Sequence, residues 1–164
     1  MITSQIDQAI GQLLLDIVLP MKLTSGNDGQ GWSFYKSHND RTAFGKYFKS
    51  NFCNRVPFGY PTFVAITRIL GKKEHLVGYP SVPRGNAKQL IDAMVTEGRF
   101  WHDDGPEYIT GIIFRQDSSQ RDNGPAIRIQ IWQSGDQPVR PKADTIAVAG
   151  RQKSAKVPRK RSTR

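Results

Sequence analysis

From residue 4 to residue 18, SQIDQAIGQLLLDIV sets Ile6, Ile10, Leu13 and Leu14 on one face of a helical wheel, and Pro20 stops the run. This pattern predicts an N-terminal amphipathic helix followed by a short strand in MKLTS (21–25). GNDGQG is a loop by composition. Aromatics then recur at Trp32, Tyr35, Phe44, Tyr47 and Phe48, interleaved with Lys36, Arg41, Lys46 and Lys49. A helix is expected within 38–50, weakened by Gly45. TFVAITRIL (62–70) alternates and is rich in β-branched residues, which makes it the clearest strand.

GKKEH reads as a turn or strand end, and the two prolines and two glycines of GYPSVPRG (78–85) force an irregular connection. Asn86 is placed to cap the next helix, with Gln89 three residues on in a capping-box arrangement. Ala87, Leu90, Ile91 and Met94 form the stripe that buries this helix, and Gly98 ends it. YITGIIFRQ (108–116) and AIRIQIW (126–132) are two strands joined by DSSQRDNGP and are expected to pair as a C-terminal hairpin. The order helix, strand, helix, strand, helix, hairpin predicts a single α/β domain, a mixed sheet with flanking helices, over residues 1–134.

Past Gln133 the apolar periodicity disappears. The segment 135–164 is too polar to bury a core and is expected to be a disordered basic tail. It holds nine Lys/Arg and two Asp, so it carries most of the formal +10 of the 164-residue chain. Such a tail attracts phosphates without regard to sequence. No run of 18 apolar residues marks a membrane span, and the apolar patch at Ile10 to Leu19 lacks the basic flank of a secretory signal. Cys53 is the lone cysteine, which excludes an intramolecular disulfide framework and a cysteine-built zinc cluster. It is expected to be a partly buried thiol in a reducing, cytoplasmic setting.

Candidate chemistry gathers in AKQLIDAMVTEGRFWHDDGPEY (87–108). Lys88 and Asp92, four apart, project from neighbouring turns at the edge of the apolar stripe. Asp103 and Asp104 follow in a short loop. Adjacent carboxylates suit Mg²⁺, and a nearby lysine can balance charge at a phosphodiester; a DDG sequence is also ordinary turn chemistry. Arg68, Lys72, Lys73, Arg84 and Lys88 are candidates for a phosphate-binding surface, with turn solubility as the alternative for Lys72 and Lys73. Phe100 and Trp101 are either core residues or wedges for a nucleic-acid junction. His102 is either a surface residue or a metal ligand.

The segment from Ile66 to Trp132 resembles the RusA family of Holliday-junction resolvases. The matches are ITRILGKK for a strand, KQLIDAM (88–94) for the family's Lys-x-x-x-Asp-Ala-Leu helix, and EGRFWHDDGPEY for the turn with its acids. The segment 19–41 is similar, in distorted form, to the family's N-terminal loop. The resemblance implies a Mg²⁺-dependent homodimer that binds four-way DNA junctions in recombination and repair. It gives Lys88 the part of the essential helix lysine, and Asp104 or its neighbour Asp103 the carboxylate that closes the metal site. The family's Asp-x-Asp-Asn loop falls near Tyr79, Pro80, Ser81 and Val82, and residues 75–91 contain no Asp or Glu. Glu74, at the end of the preceding strand, and Glu107, three residues after Asp104, are the candidate substitutes. Two expectations follow: a divergent crossover junction endodeoxyribonuclease using Asp104, Asp103 and Lys88, or a degenerate homologue, a pseudoenzyme that binds nucleic acid or protein without cutting.

Overall fold

The structure is a computed structural model, and it describes residues 11–26, 34–78, 81–83, 85–135 and 138–139. Residues 4–10 of the helix expected over 4–18, and the basic tail apart from 135, 138 and 139, therefore lie outside the described residues. The elements are β1 (Leu13–Leu19), α1 (Phe34–Phe52), β2 (Thr62–Ile69), α2 (Ala87–Thr96), β3 (Ile109–Asp117) and β4 (Ala126–Gln133). They form an α/β domain around one four-stranded sheet in the order β1-β4-β2-β3. β4 runs antiparallel to both neighbours, whereas β2 and β3 are parallel, so the sheet is mixed.

Both helices pack on one face. Phe44 and Phe48 of α1 and Leu90, Ala93 and Met94 of α2 share a buried cluster with Val64 and Ile66 of β2. Ile127, Ile129 and Ile131 of β4 complete its floor. The other face is more polar: Asp16 accepts a two-pronged hydrogen bond from Arg128 (2.8 and 2.6 Å) and a third bond from Gln130 (3.1 Å). The bond from Arg128, supported by its charge and by Gln130, holds the Asp16 carboxyl below its usual range despite the opposing effect of burial.

Three expectations are overturned here. LLLDIVL is a strand rather than the end of a helix. The run satisfies a period of two as well as one of 3.6, and Leu15, Ile17 and Leu19 turn to the core while Asp16 reaches Arg128 across the sheet. MKLTS forms no strand; it is an irregular segment in which Lys22 is exposed and Leu23 and Ser25 are fully enclosed. The C-terminal hairpin does not form, because β2 lies between β3 and β4. The three isoleucines of β4 need neighbours on both sides to be sealed, and β1 and β2 supply them. The β3–β4 connection passes the end of β2, where Arg121 donates to the carbonyls of Gly71 and Glu74.

The start of α2 differs too. Asn86 makes no side-chain cap. Its Oδ1 accepts from the Thr24 amide (3.0 Å), and its Nδ2 donates to the Lys22 carbonyl (3.3 Å) and to Asp40 of α1 (3.2 Å). Tertiary partners thus take the groups a local cap would use. Past α2, Phe100 and Trp101 are core. Phe100 sits among Phe48, Phe52 and Phe58, and the Trp101 indole donates to the Thr62 hydroxyl (2.8 Å), so neither is a wedge. Cys53 is exposed rather than partly buried.

Candidate functional site

Leu90, Ala93 and Met94 commit one side of α2 to the core, which leaves Lys88, Ile91 and Asp92 on a side that faces β3. β3 is an edge strand, so a cleft of about 280 Å³ opens between it and the helix. Ile91, Ile109, Ile112 and Phe114 give the cleft apolar walls. Lys88, Asp92 and Asp104 supply its polar groups. Lys88 Nζ stands 3.5 Å from Asp92 Oδ1, an i,i+4 pair in which the lysine is largely exposed and the aspartate about one-quarter so.

Asp104 is delivered by a tight turn. The amides of Tyr108 and Ile109 both donate to the Gly105 carbonyl (2.9 and 3.0 Å), and buried Tyr108 anchors the turn against the core. Asp103 Oδ1 accepts the Asp104 amide (2.9 Å), so this carboxylate is engaged with its own loop and does not line the cleft. His102 is exposed near the Tyr108 ring. The carboxylate of Glu107 folds over Gly105.

The structure thus joins Lys88 with Asp104, as the sequence suggested, and adds Asp92. It separates the proposed phosphate-binding residues. Arg68 is 3% exposed and cannot present its guanidinium to a backbone phosphate. Strand alternation turns it to the same face as Val64 and Ile66, where it pairs with Glu74 (3.5 Å) and donates to Gln116 (3.4 Å). Glu74 is bound in turn by Lys22 (2.6 Å) and the Gly71 amide (3.0 Å). Burial alone would raise the Glu74 carboxyl, but these hydrogen bonds and the charges of Arg68 and Lys22 outweigh it and hold it below its usual value. Glu74 is therefore part of an interior ion network and does not line the cleft. Sequence reasoning missed this network, although the alternation of TFVAITRIL already placed Arg68 inward. Lys72 pairs with Asp122 (3.1 Å) on the surface, Lys73 is exposed, and Arg84 lies outside the described residues.

Among the described residues, no three His, Cys, Asp or Glu side chains come together as a cation site. The donors in the cleft, two carboxylates with Asp92 already neutralised by Lys88, fit a magnesium ion poorly, since Mg²⁺ sites rest on uncommitted hard oxygen ligands. No helix among the described residues is long and apolar enough to cross a membrane.

The fold and cleft define an α/β domain with a polar-rimmed cleft between a helix and an edge strand. Comparison with known protein families and with curated proteins returns no match.

Proposed function

We propose that this chain is a RusA-like protein that binds branched DNA, four-way junctions included, at the α2–β3 cleft, acts as a homodimer, and does not cut what it binds. The observation that carries this reading is the meeting of Lys88, from α2, with Asp104, from the acidic turn before β3, in one cleft. The exposed Lys88 ammonium offers a contact to phosphate, and Phe114 with Ile91 and Ile112 offers an apolar wall for an unpaired base or sugar. The basic tail would add salt-sensitive attraction. Binding without cleavage is favoured because Asp103 is held by its own loop, Asp92 is paired, and residues 75–91 hold no acid.

One observation favours a second reading, a Mg²⁺-dependent junction nuclease: Asp92 and Asp104 line the same cleft as Lys88. The deciding experiment incubates purified protein with a labelled four-way junction in Mg²⁺, Mn²⁺ or chelator, beside Asp104→Asn. The binding reading expects a shifted junction without nicks under every condition. Symmetric, metal-dependent nicks that vanish in the variant would establish the nuclease instead. Equal affinity for a junction and a linear duplex at moderate salt would refute both.

A further inference from the structure

We infer that a second surface, the groove between α1 and the C-terminal end of α2, binds the phosphodiester backbone of nucleic acid independently of base sequence. His38, Arg41, Thr42, Gly45, Lys46 and Lys49 recur at helical spacing along one side of α1 and line a groove of about 440 Å³, closed on the far side by Glu97. Lys49 and Glu97 continue into an adjoining hollow completed by Thr96, Cys53 and Arg99. Arg41, Lys46, Lys49 and Arg99 thus form one basic track along the two hollows, and Lys46, Lys49 and Arg99 are exposed. Buried Gly45 keeps the groove open at its middle, where the Glu97 side chain lies against it.

Arg99 carries the inference further than charge alone does. Its φ of 51° lies in the left-handed region that favours glycine. The turn needs that conformation: it lets the Phe100 amide reach back to the Met94 carbonyl (3.1 Å) and close the end of α2. Gly98, one residue earlier, is needed for a different reason, since a Cβ there would stand 2.8 Å from the Met94 carbonyl oxygen and 2.7 Å from the Phe100 ring. The chain therefore places a bulky cation where a glycine would sit with less strain, and that cation faces the basic groove. Strain held at a surface position is a mark of function. Arg41 is held in line by donating to the Thr96 hydroxyl (3.2 Å). Glu97, whose carboxylate accepts from the same Thr96 hydroxyl, is the one opposing charge among the described residues that line these hollows.

Cations spaced along a helix match the repeating charge of a phosphodiester chain, and their signature is salt dependence. This surface is distinct from the cleft: α2 presents Lys88 and Asp92 to the cleft and its last turn to the groove. The inference goes beyond the branched-DNA reading and uses a different substrate for its test. The full chain is titrated into a short labelled linear duplex, and the affinity is followed by anisotropy between about 50 and 200 mM salt. All variants keep the basic tail, so differences between them report the groove.

Lys46→Ala combined with Lys49→Ala is expected to lower the log K against log salt slope by about two, and Arg99→Gly by about one, with Arg99→Gly melting no lower than the parent. Over that fourfold salt range each lost contact removes a factor of about 3.5 from the salt penalty. Glu97→Gln is expected to bind more tightly than the parent. Unchanged slopes in both groove variants overturn the inference. So does tighter, groove-dependent binding to vesicles of mixed phosphatidylserine and phosphatidylcholine than to the duplex. Lost junction preference with these slope changes intact leaves the groove standing and removes only the cleft reading.

Discussion

Replacing Asn86 tests how the cleft is positioned. Its side chain is 2% exposed and joins three parts of the fold: the Lys22–Thr24 segment, α1 through Asp40, and the first turn of α2 that carries Lys88. Asn86→Ala removes one hydrogen bond to a backbone amide, one to a carbonyl, and one to a carboxylate. Net values of about 1 kcal/mol for each neutral bond, with a further contribution from the charged one and from partners left buried, give a loss of roughly 2–4 kcal/mol. At about 4 °C per kcal/mol for a domain of this size, the melting temperature should fall by roughly 8–16 °C. Asn86→Asp keeps the shape and the acceptor for Thr24 but replaces both donors with a carboxylate facing the Lys22 carbonyl and Asp40. It should cost at least as much near neutral pH. The introduced carboxyl, beside a like charge, has its folded pKa raised above the unfolded value of about 3.9. Its penalty is therefore present above that folded pKa and disappears as the pH falls below the unfolded value. Thermal melts followed by circular dichroism at neutral pH and near pH 4 should show Asn86→Asp closing on the parent in acid and Asn86→Ala keeping its gap. A loss below about 0.5 kcal/mol for Asn86→Ala, or a gap for Asn86→Asp that ignores pH, would refute the account.

Two further outcomes concern charge. Asp16, held below its usual range chiefly by the Arg128 hydrogen bond, contributes stability that is present above its unfolded pKa and lost as the pH falls through its lower folded value. Urea denaturation across that acid range should show Asp16→Asn with a flatter stability profile than the parent and about 1 kcal/mol less stability at neutral pH, as suits a half-exposed bidentate pair. In the interior network, Glu74→Leu leaves the buried Arg68 cation without its carboxylate and should cost about 3–5 kcal/mol, whereas Arg68→Leu leaves Glu74 still paired with Lys22 and should cost clearly less by the same measurement.

Local pattern made most of the architecture legible. TFVAITRIL is β2, the stripe of Ala87, Leu90, Ile91 and Met94 is α2, and the alternation of AIRIQIW is β4, each within a residue or two of the expected bounds. The helix expected within 38–50 extends over Phe34–Phe52, because Phe44 and Phe48 bind it to the core across Gly45. What stayed hidden depends on partners distant in sequence. LLLDIVL fits helix and strand periods alike, and pairing with β4, more than a hundred residues away, settles which one holds. A short polar linker between two strands suggests a hairpin, yet the burial of Ile127, Ile129 and Ile131 on one strand and the half-exposure of β3 decide that β4 is central and β3 an edge. Asn86 followed by Gln89 has the spacing of a cap, but Thr24, Lys22 and Asp40 outcompete the helix amides. In the candidate site, Lys88 lies one residue into α2 and Asp104 in the loop that joins α2 to β3, so local pattern could place both; Asp103 was not separable from its neighbour until the turn showed which carboxylate is bound by the loop.

The acid-free connection before α2 has its own structural employment. Val82 is 1% exposed and belongs to the core cluster alongside Ala87. The Ser81 carbonyl accepts the Gly26 amide, and Gly85 lies so close to Thr24 that a Cβ there would overlap the Thr24 carbonyl. The described part of this connection therefore clamps residues 24–26 to the start of α2, next to the Asn86 bonds that do the same. A carboxylate at Val82 would be buried without a partner, at a cost of several kcal/mol. Packing thus opposes a second acid at that position while leaving Lys88 and Asp104, at the cleft, in place. The described part of the loop therefore fixes the start of α2, and with it Lys88, rather than supplying the cleft with acidic ligands.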